Sequence, residues 1–301
     1  MLTPPPGRLR VILDTDTYNE VDDQFAVVHA LLSPERFDVE AIHAVLFHNA
    51  RSTSPKHGME LSYKEILRLF DRLGMQSEGL AHRGVTETVG TDRQARDGPA
   101  VDNLIERASR TSADQPLHVL AIGALSNVAS AILKAPDIIE RMVVIWLSCN
   151  APDWPEGFDE GGNFNLVQDV GAAQVVLDSG VPLVFVPAMP VSSHLISTVP
   201  EIERHVEPQG PVGAFLAERF KAYNSDHFGW SKPLWDLAAV GWLLEPKWCP
   251  STVISTPIVS NDRRWRTDPA RHAMRYVGYV DRDAILRDFF LKLASFAACQ
   301  L

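Results

Sequence analysis

The chain has 301 residues, 46% of them hydrophobic, and a formal net charge of −10. That length and apolar fraction suffice for one α/β domain with a sizeable core, and the acidic balance argues against binding nucleic acid or an anionic membrane, both of which need basic patches. No apolar run approaches a membrane span, and Met1-Leu2-Thr3-Pro4-Pro5-Pro6 lacks the apolar stretch of a signal peptide. Cys149, Cys249 and Cys299 are scattered without ligand spacing, so neither disulfides nor zinc are expected. The expectation is a cytoplasmic protein forming a single domain over residues 1–301.

Leu9-Arg10-Val11-Ile12-Leu13, apolar apart from its arginine, predicts a buried strand. It ends in Asp14 and Asp16, which strands disfavour. After a short polar turn, Asp22-Asp23 opens a segment whose apolar residues Phe25, Val28 and Leu32 recur at helical spacing. Four carboxylates therefore gather where one strand ends and the next helix begins, the crevice in which parallel α/β sheets hold ligands. Singly, each acid has a structural role open to it. Asp22 or Asp23 can be an N-cap or a first-turn acid, and Asp14 or Asp16 can stabilise a turn. Together, their repulsion goes uncompensated unless a cation sits among them, and a hard divalent cation on oxygen ligands is the natural solution.

A second strand is predicted over 39–47, followed by the polar His48-Asn49-Ala50-Arg51-Ser52, and a helix over 61–73. A Gly/Thr-rich stretch over 84–98 precedes a helix over 101–109 and a buried strand over 117–122. Gly123-Ala124-Leu125-Ser126-Asn127 then turns into a helix with Ser126 placed to cap it. The turn lacks the second glycine and the lysine of a phosphate cradle. A strand over 142–147 leads into 149–162, rich in proline, glycine and acids, either a solvated excursion or a mobile lid. Gly162-Asn163-Phe164-Asn165 follows, then a helix over 169–178, a strand over 182–186 and a helix over 212–223. The aromatic-rich 224–236 ends in Trp235-Asp236, and Leu237, Val240, Leu243 and Leu244 give a buried helix starting at Asp236, which taken alone reads as its N-cap. Strands over 251–259 and 274–280 and a helix over 282–298 finish the chain.

The pattern Asp14-x-Asp16 … Asp22-Asp23-x-x-Ala26 resembles the amino-terminal signature of the inosine–uridine nucleoside hydrolase family. Between its two acid pairs this chain carries Thr17 to Val21, a longer loop than the family's common proline–glycine version. Three later blocks extend the resemblance over most of the chain. Gly123 to Asn127 is similar to the Gly-x-Leu-Thr-Asn block, Asn163-Phe164-Asn165 to the Glu-Phe-Asn block, and Asp236 to the family's last calcium carboxylate. The resemblance implies an open, mostly parallel central sheet flanked by helices, a Rossmann-type core, and a catalytic Ca²⁺. It implies Asp16, Asp23, Asp236 and the Ile122 carbonyl as calcium ligands, with Asp16 also the general base toward water. Asp22, Asn49, Asn163 and Asn165 are then expected on the ribose, Asn163 standing where the family has glutamate. Many relatives place a histidine before the last aspartate to protonate the departing base. Here that residue is Trp235, which can stack on a base but cannot serve as an acid. His227, eight positions earlier, is the nearest histidine and is expected to supply the proton. The implied substrate is a small nucleoside or N-riboside, with the base left open, and the implied assembly a homodimer or homotetramer.

Two rival readings remain. Asp14-Thr15-Asp16-Thr17 after an apolar strand also resembles the nucleophile motif of haloacid-dehalogenase-like phosphatases, with Asp14 as nucleophile and Mg²⁺ as metal. Alternatively, the chain binds nucleoside or ribose with calcium and lost turnover when histidine became Trp235.

Overall fold

In the computed structural model, which describes residues 2–152 and 163–300, the predicted first strand is β1 (Leu9–Thr15), and it lies inside a sheet. Its Val11, Ile12 and Leu13 are buried on both faces, as expected of a central parallel strand covered by helices on each side. Strands β2 (Phe37–Ala44), β3 (Ala81–Arg83), β4 (Leu117–Ala121), β5 (Met142–Ser148) and β6 (Leu183–Pro187) join it in parallel. Two residues each form β7 (Ile196–Ser197) and β8 (Lys232–Pro233), which pair with one another outside this sheet. The chain then adds β9 (Ser251–Ser255), a second small ribbon of β10 (Ile258–Val259) with β11 (Trp265–Arg266), and β12 (Ala273–Val277).

The sheet runs in the order β3-β2-β1-β4-β5-β6-β12-β9, and only its last strand is antiparallel to its neighbour. From β1 the chain winds outward through β2 and β3, then returns to place β4 on the other side of β1 and winds the opposite way. The strand order therefore reverses between β1 and β4, where the helices after the two strands leave on opposite faces and a crevice opens. Opposite Leu13 stands Leu120, and opposite Asp14 stands Ala121. Continuing that register sets Asp16 against Gly123, just past Ile122, where both strands leave the sheet.

The helices are α1 (Asp22–Leu31), α2 (Pro55–Leu73), α3 (Pro99–Ser109), α4 (Ser126–Lys134), α5 (Phe164–Gln168), α6 (Val170–Ser179), α7 (Val199–His205), α8 (Gly210–Ala222), α9 (Leu237–Leu244) and α10 (Arg282–Cys299). Several differ from the sequence reading for identifiable reasons. Helix α2 begins six residues before the predicted start, because Ser54 caps it by accepting from the His57 N–H at 3.1 Å and Pro55 suits a first turn. Ser126 is not the cap of α4: Leu125 holds that position without a side-chain bond, and Ser126 Oγ donates to Asp169 Oδ2 at 2.7 Å. The predicted strand over 251–259 is broken into β9 and β10 around Pro257, which has no N–H for a ladder. The predicted lid over 149–162 lies for residues 153–162 outside the described residues. Among the described residues, no helix is long and apolar enough to cross a membrane.

Candidate active site

The crevice at the β1–β4 switch is lined on one side by Asp16, Asn19, Glu20, Asp22 and Asp23. Ile122, Leu147, Ser148 and Phe164 line another part, with Asn165, Trp235 and Asp236 at the remaining edge. Asp16 leaves the sheet one residue after β1 and is 1% exposed. The turn after β4 can lie against it because residue 123 is glycine. A Cβ there would stand 3.1 Å from the Asp16 nitrogen and 3.2 Å from its Oδ1, tighter than ordinary packing allows.

Asp22 and Asp23 open α1, whose N-cap is Val21 without a side-chain bond, and Asp236 stands at the N-cap position of α9 as the sequence predicts, its side chain making no capping bond. The capping roles open to these acids on sequence grounds are therefore unused. Their carboxylate oxygens converge instead: one oxygen each from Asp22, Asp23 and Asp236 lies within 4.8 Å of the others, and all three residues are buried. Asp16 adjoins the group, near enough to Asp23 and Asp22 for their charges to act on its carboxyl. Its Oδ2 is buried with no partner. Thr15 Oγ1 donates to Asp23 Oδ1 at 2.5 Å and fixes that carboxylate from behind.

Burial pushes the carboxyls of Asp16, Asp23 and Asp236 well above the usual range, and neighbouring carboxylates push them further. Asp22 is pushed up to about 6 by burial, with the Lys232 ammonium holding it back. Four buried acids in contact are hard to keep ionised unless positive charge lies among them. The donors are all oxygen, with no histidine or cysteine in the group, which fits a hard cation such as Ca²⁺ rather than zinc.

Asp14 has a different station. Burial pushes it up to about 7, Asn127 Nδ2 donates to its Oδ1 at 2.8 Å, and it does not line the crevice. Asn127 also accepts from the Val85 N–H at 2.9 Å, so its role is to tie the β1 end to the loop after β3.

The crevice brings together seven of the sequence-predicted residues: Asp16, Asp22, Asp23, Ile122, Asn165, Trp235 and Asp236. Asn165 Nδ2 donates to the Ile122 and Leu147 carbonyls, each at 3.0 Å, bridging the ends of β4 and β5. Asn49, Asn163 and His227 are not in the lining. Asn49 Nδ2 donates to Asn19 Oδ1 at 2.7 Å, so it supports a lining residue. Asn163 Oδ1 accepts from the Asn150 N–H at 2.9 Å just before α5. His227 is exposed, its Nε2 hydrogen-bonded to the Lys221 carbonyl at 2.9 Å and its ring 5.7 Å from that of Trp230.

Asn19, Glu20 and Phe164 line the crevice and Lys232 lies beside it, although no sequence motif assigns them to it. Asn19 and Glu20 sit in the longer loop of the first motif, where that extra length was the available signal. Lys232 is buried, donates to Glu20 Oε2 at 2.5 Å and lies 5.8 Å from the Trp235 ring. Nothing in the sequence joins a lysine to an acid 212 positions away. Chemically, the crevice offers an oxygen-lined cation cradle at one end, amide and carboxylate acceptors for hydroxyls along its side, and the aromatic side chains of Phe164 and Trp235 for a planar group.

Comparison with known proteins bears on what fills it. The family described as inosine-uridine preferring nucleoside hydrolase matches residues 11–285. Over 158 residues the chain is 34% identical to an uncharacterised protein of Schizosaccharomyces pombe, a match spanning 51% of this chain and half, 50%, of that one. Over 267 residues it is 28% identical to the pyrimidine-specific ribonucleoside hydrolase RihA of Escherichia coli, covering 79% of this chain and 80% of that protein. Among solved structures, the purine-preferring ribonucleoside hydrolase from Gardnerella vaginalis superposes with a TM-score of 0.74 over 96% of this chain and 99% of that one. At 22% identity, that likeness is one of fold.

Proposed function

Because the chain belongs to the inosine–uridine preferring nucleoside hydrolase family, we propose that it hydrolyses the N-glycosidic bond of ribonucleosides or related N-ribosides with a Ca²⁺ ion at the aspartate cluster. The observation that carries this reading is the convergence of buried carboxylates from the starts of α1 and α9, none spent on a helix cap, on one point of the crevice that Asp16 also lines. Asp16, Asp23, Asp236 and the Ile122 carbonyl would hold the ion, with the Asp22 carboxylate beside them, one of its oxygens within 4.8 Å of oxygens of Asp23 and Asp236. When bound, the cation lowers the pKa of a water and orients it.

Asp16 takes the proton of the attacking water as its oxygen bonds to the anomeric carbon. The carbon–nitrogen bond breaks with its electron pair on the base. Asp22 and Asn165 hold ribose hydroxyls, and the negative end of the crevice favours the oxocarbenium character of the transition state. Asn49 acts through Asn19, and Asn163 fixes the turn that presents Asn165. Phe164 and Trp235 flank the base. We assign no proton donation to His227, whose imidazole is engaged with the Lys221 carbonyl away from the lining. The reading carries with it a homodimer or homotetramer working in the cytoplasm. The phosphatase alternative falls with the family membership, since its nucleophile would be Asp14, a residue outside the lining.

The test is metal analysis of untreated protein together with turnover of uridine and inosine before and after chelation. We expect calcium in the protein, loss of hydrolysis in chelator, and recovery on adding Ca²⁺. Zinc in the protein, or hydrolysis indifferent to chelator, would contradict the reading. Tight calcium-dependent nucleoside binding with no product would identify a binding homologue instead.

A further inference from the structure

A second cavity opens beside the crevice, with about 600 Å³ of open space, and Glu20 lines both. Its other walls are Tyr18 and Val21 from the longer first loop, Arg51 from the turn after β2, and Arg219 and Tyr223 from α8 and its end. The two guanidiniums lie against the two tyrosines: Arg51 is 5.2 Å from the Tyr223 ring centroid, and Arg219 is 4.7 Å from that of Tyr18.

The charge of this cavity differs from that of the crevice. Glu20 is offset by the buried Lys232 ammonium at 2.5 Å. Arg219 Nε stands 3.2 Å from Glu65 Oε1, but Glu65 is also paired with Arg68, so one carboxylate faces two guanidiniums. Arg51 donates from Nη1 to a neutral partner, the Asn19 carbonyl, at 2.8 Å. Positive charge is therefore in excess here, on a chain whose net charge is −10.

We propose that this second cavity binds an anionic group, phosphate or carboxylate, carried by the N-riboside whose neutral part lies in the crevice. The inference rests on the hydrolase reading above and narrows its substrate class. A guanidinium is a rigid fork of donors matched to a carboxylate or phosphate, and one laid against an aromatic ring and tied to a carbonyl loses little freedom on binding. Hydrolysis itself is unchanged: water's oxygen bonds to the anomeric carbon, the carbon–nitrogen bond breaks, and the base nitrogen takes up a proton. The anion leaves on the sugar if it was a ribose phosphate, or on the base if it was a base carboxylate.

The two sources are separated by comparing kcat/KM for uridine, uridine 5′-monophosphate and orotidine in the wild type, Arg51→Gln and Arg51→Lys, with inorganic phosphate binding followed by calorimetry. We expect one of the two anionic substrates to be preferred over uridine by about tenfold or more, in line with a charge-assisted hydrogen bond. That preference should largely vanish in Arg51→Gln, survive in part in Arg51→Lys, and weaken with added salt. Preference for the monophosphate places the anion on the ribose, and preference for orotidine places it on the base. Uridine favoured over both, or an undiminished preference in Arg51→Gln, overturns the proposal. If uridine is hydrolysed, neither anionic substrate is preferred and phosphate does not bind, the proposal fails and the hydrolase reading stands. If nothing is hydrolysed yet phosphate binds the wild type and not Arg51→Gln, the hydrolase reading fails and the anion site stands.

Discussion

At one end of the crevice the side chains of Asp16, Asp22, Asp23 and Asp236 are buried and start from the ends of a strand and two helices. At the other, Trp235 is half-buried, and the segment leading to it carries His227 on the surface and Phe228 at 97% exposure. The acid end is over-determined: sheet register sets Asp16 against the turn after β4, Gly123 leaves room for it there, and Thr15 clamps Asp23. At the aromatic end Trp235 comes from the loop before α9 and packs only partly buried against the core, and Phe164 starts the short helix α5. Reaction chemistry needs fixed atoms and sits on the frame, whereas the choice of leaving group sits where the chain can vary without disturbing the core.

The sharpest way to break this contrast is Asp16→Asn. The amide keeps the shape and an oxygen for the cation but cannot accept the water's proton. Turnover of nucleosides should fall by about 10² to 10⁴, the worth of a general base. The metal-free variant should melt no lower than the wild type, because one buried acid is gone from a group that crowding already pushes toward protonation. Steady-state kinetics and thermal melting check both halves. Wild-type turnover in this variant would move the base to Asp22.

The contrast also explains how far the sequence could be read. The acid end was legible because a strand followed by carboxylates and a helix has few physical explanations, and because α/β sheets put such clusters at one edge. Asn165 and Asp236 were reachable only through resemblance, since a lone asparagine or a helix-start aspartate has ordinary structural uses. Asn49 and Asn163, expected on the ribose, lie outside the crevice lining and are bonded to Asn19 and to the Asn150 backbone. Sequence order says which loop a residue belongs to, but whether its side chain faces the crevice depends on turn geometry that no periodicity encodes. The Lys232–Glu20 pair was invisible for the same reason: β8 comes near the first loop only through tertiary packing.

At the aromatic end, Trp235→Ala should have a smaller effect, expressed in binding. Its ring lines the crevice, and the charge recorded beside it is the Lys232 ammonium, which takes no part in the proposed reaction. Stacking of a base on an aromatic side chain is worth about 1–3 kcal/mol, so KM should rise by roughly tenfold or more while kcat changes little. The Lys232 ammonium would also lose one of the two aromatic rings near it, keeping Tyr223 at 4.9 Å and its bond to Glu20. A fall in kcat with KM unchanged would instead make Trp235 part of the reacting arrangement and erase the division between the two ends.

The smallest effect should come from His227→Ala. A histidine in this segment is the obvious candidate to protonate the departing base, since imidazole is a common general acid. In the structure, however, Nε2 is bonded to the Lys221 carbonyl and the ring lies against Trp230, so entering the crevice would break both contacts. An exposed substitution of this kind should shift stability by no more than about 0.5 kcal/mol. Hydrolysis of natural nucleosides should stay within about twofold of the wild type, far short of the 10² or more that losing a general acid costs. The informative control is p-nitrophenyl riboside, whose leaving group needs no proton. If His227 is a bystander, both substrates respond alike and weakly. If natural nucleosides slow by a hundredfold while p-nitrophenyl riboside does not, the segment swings inward during the reaction. The acid would then be His227, delivered by a loop rather than held by the frame.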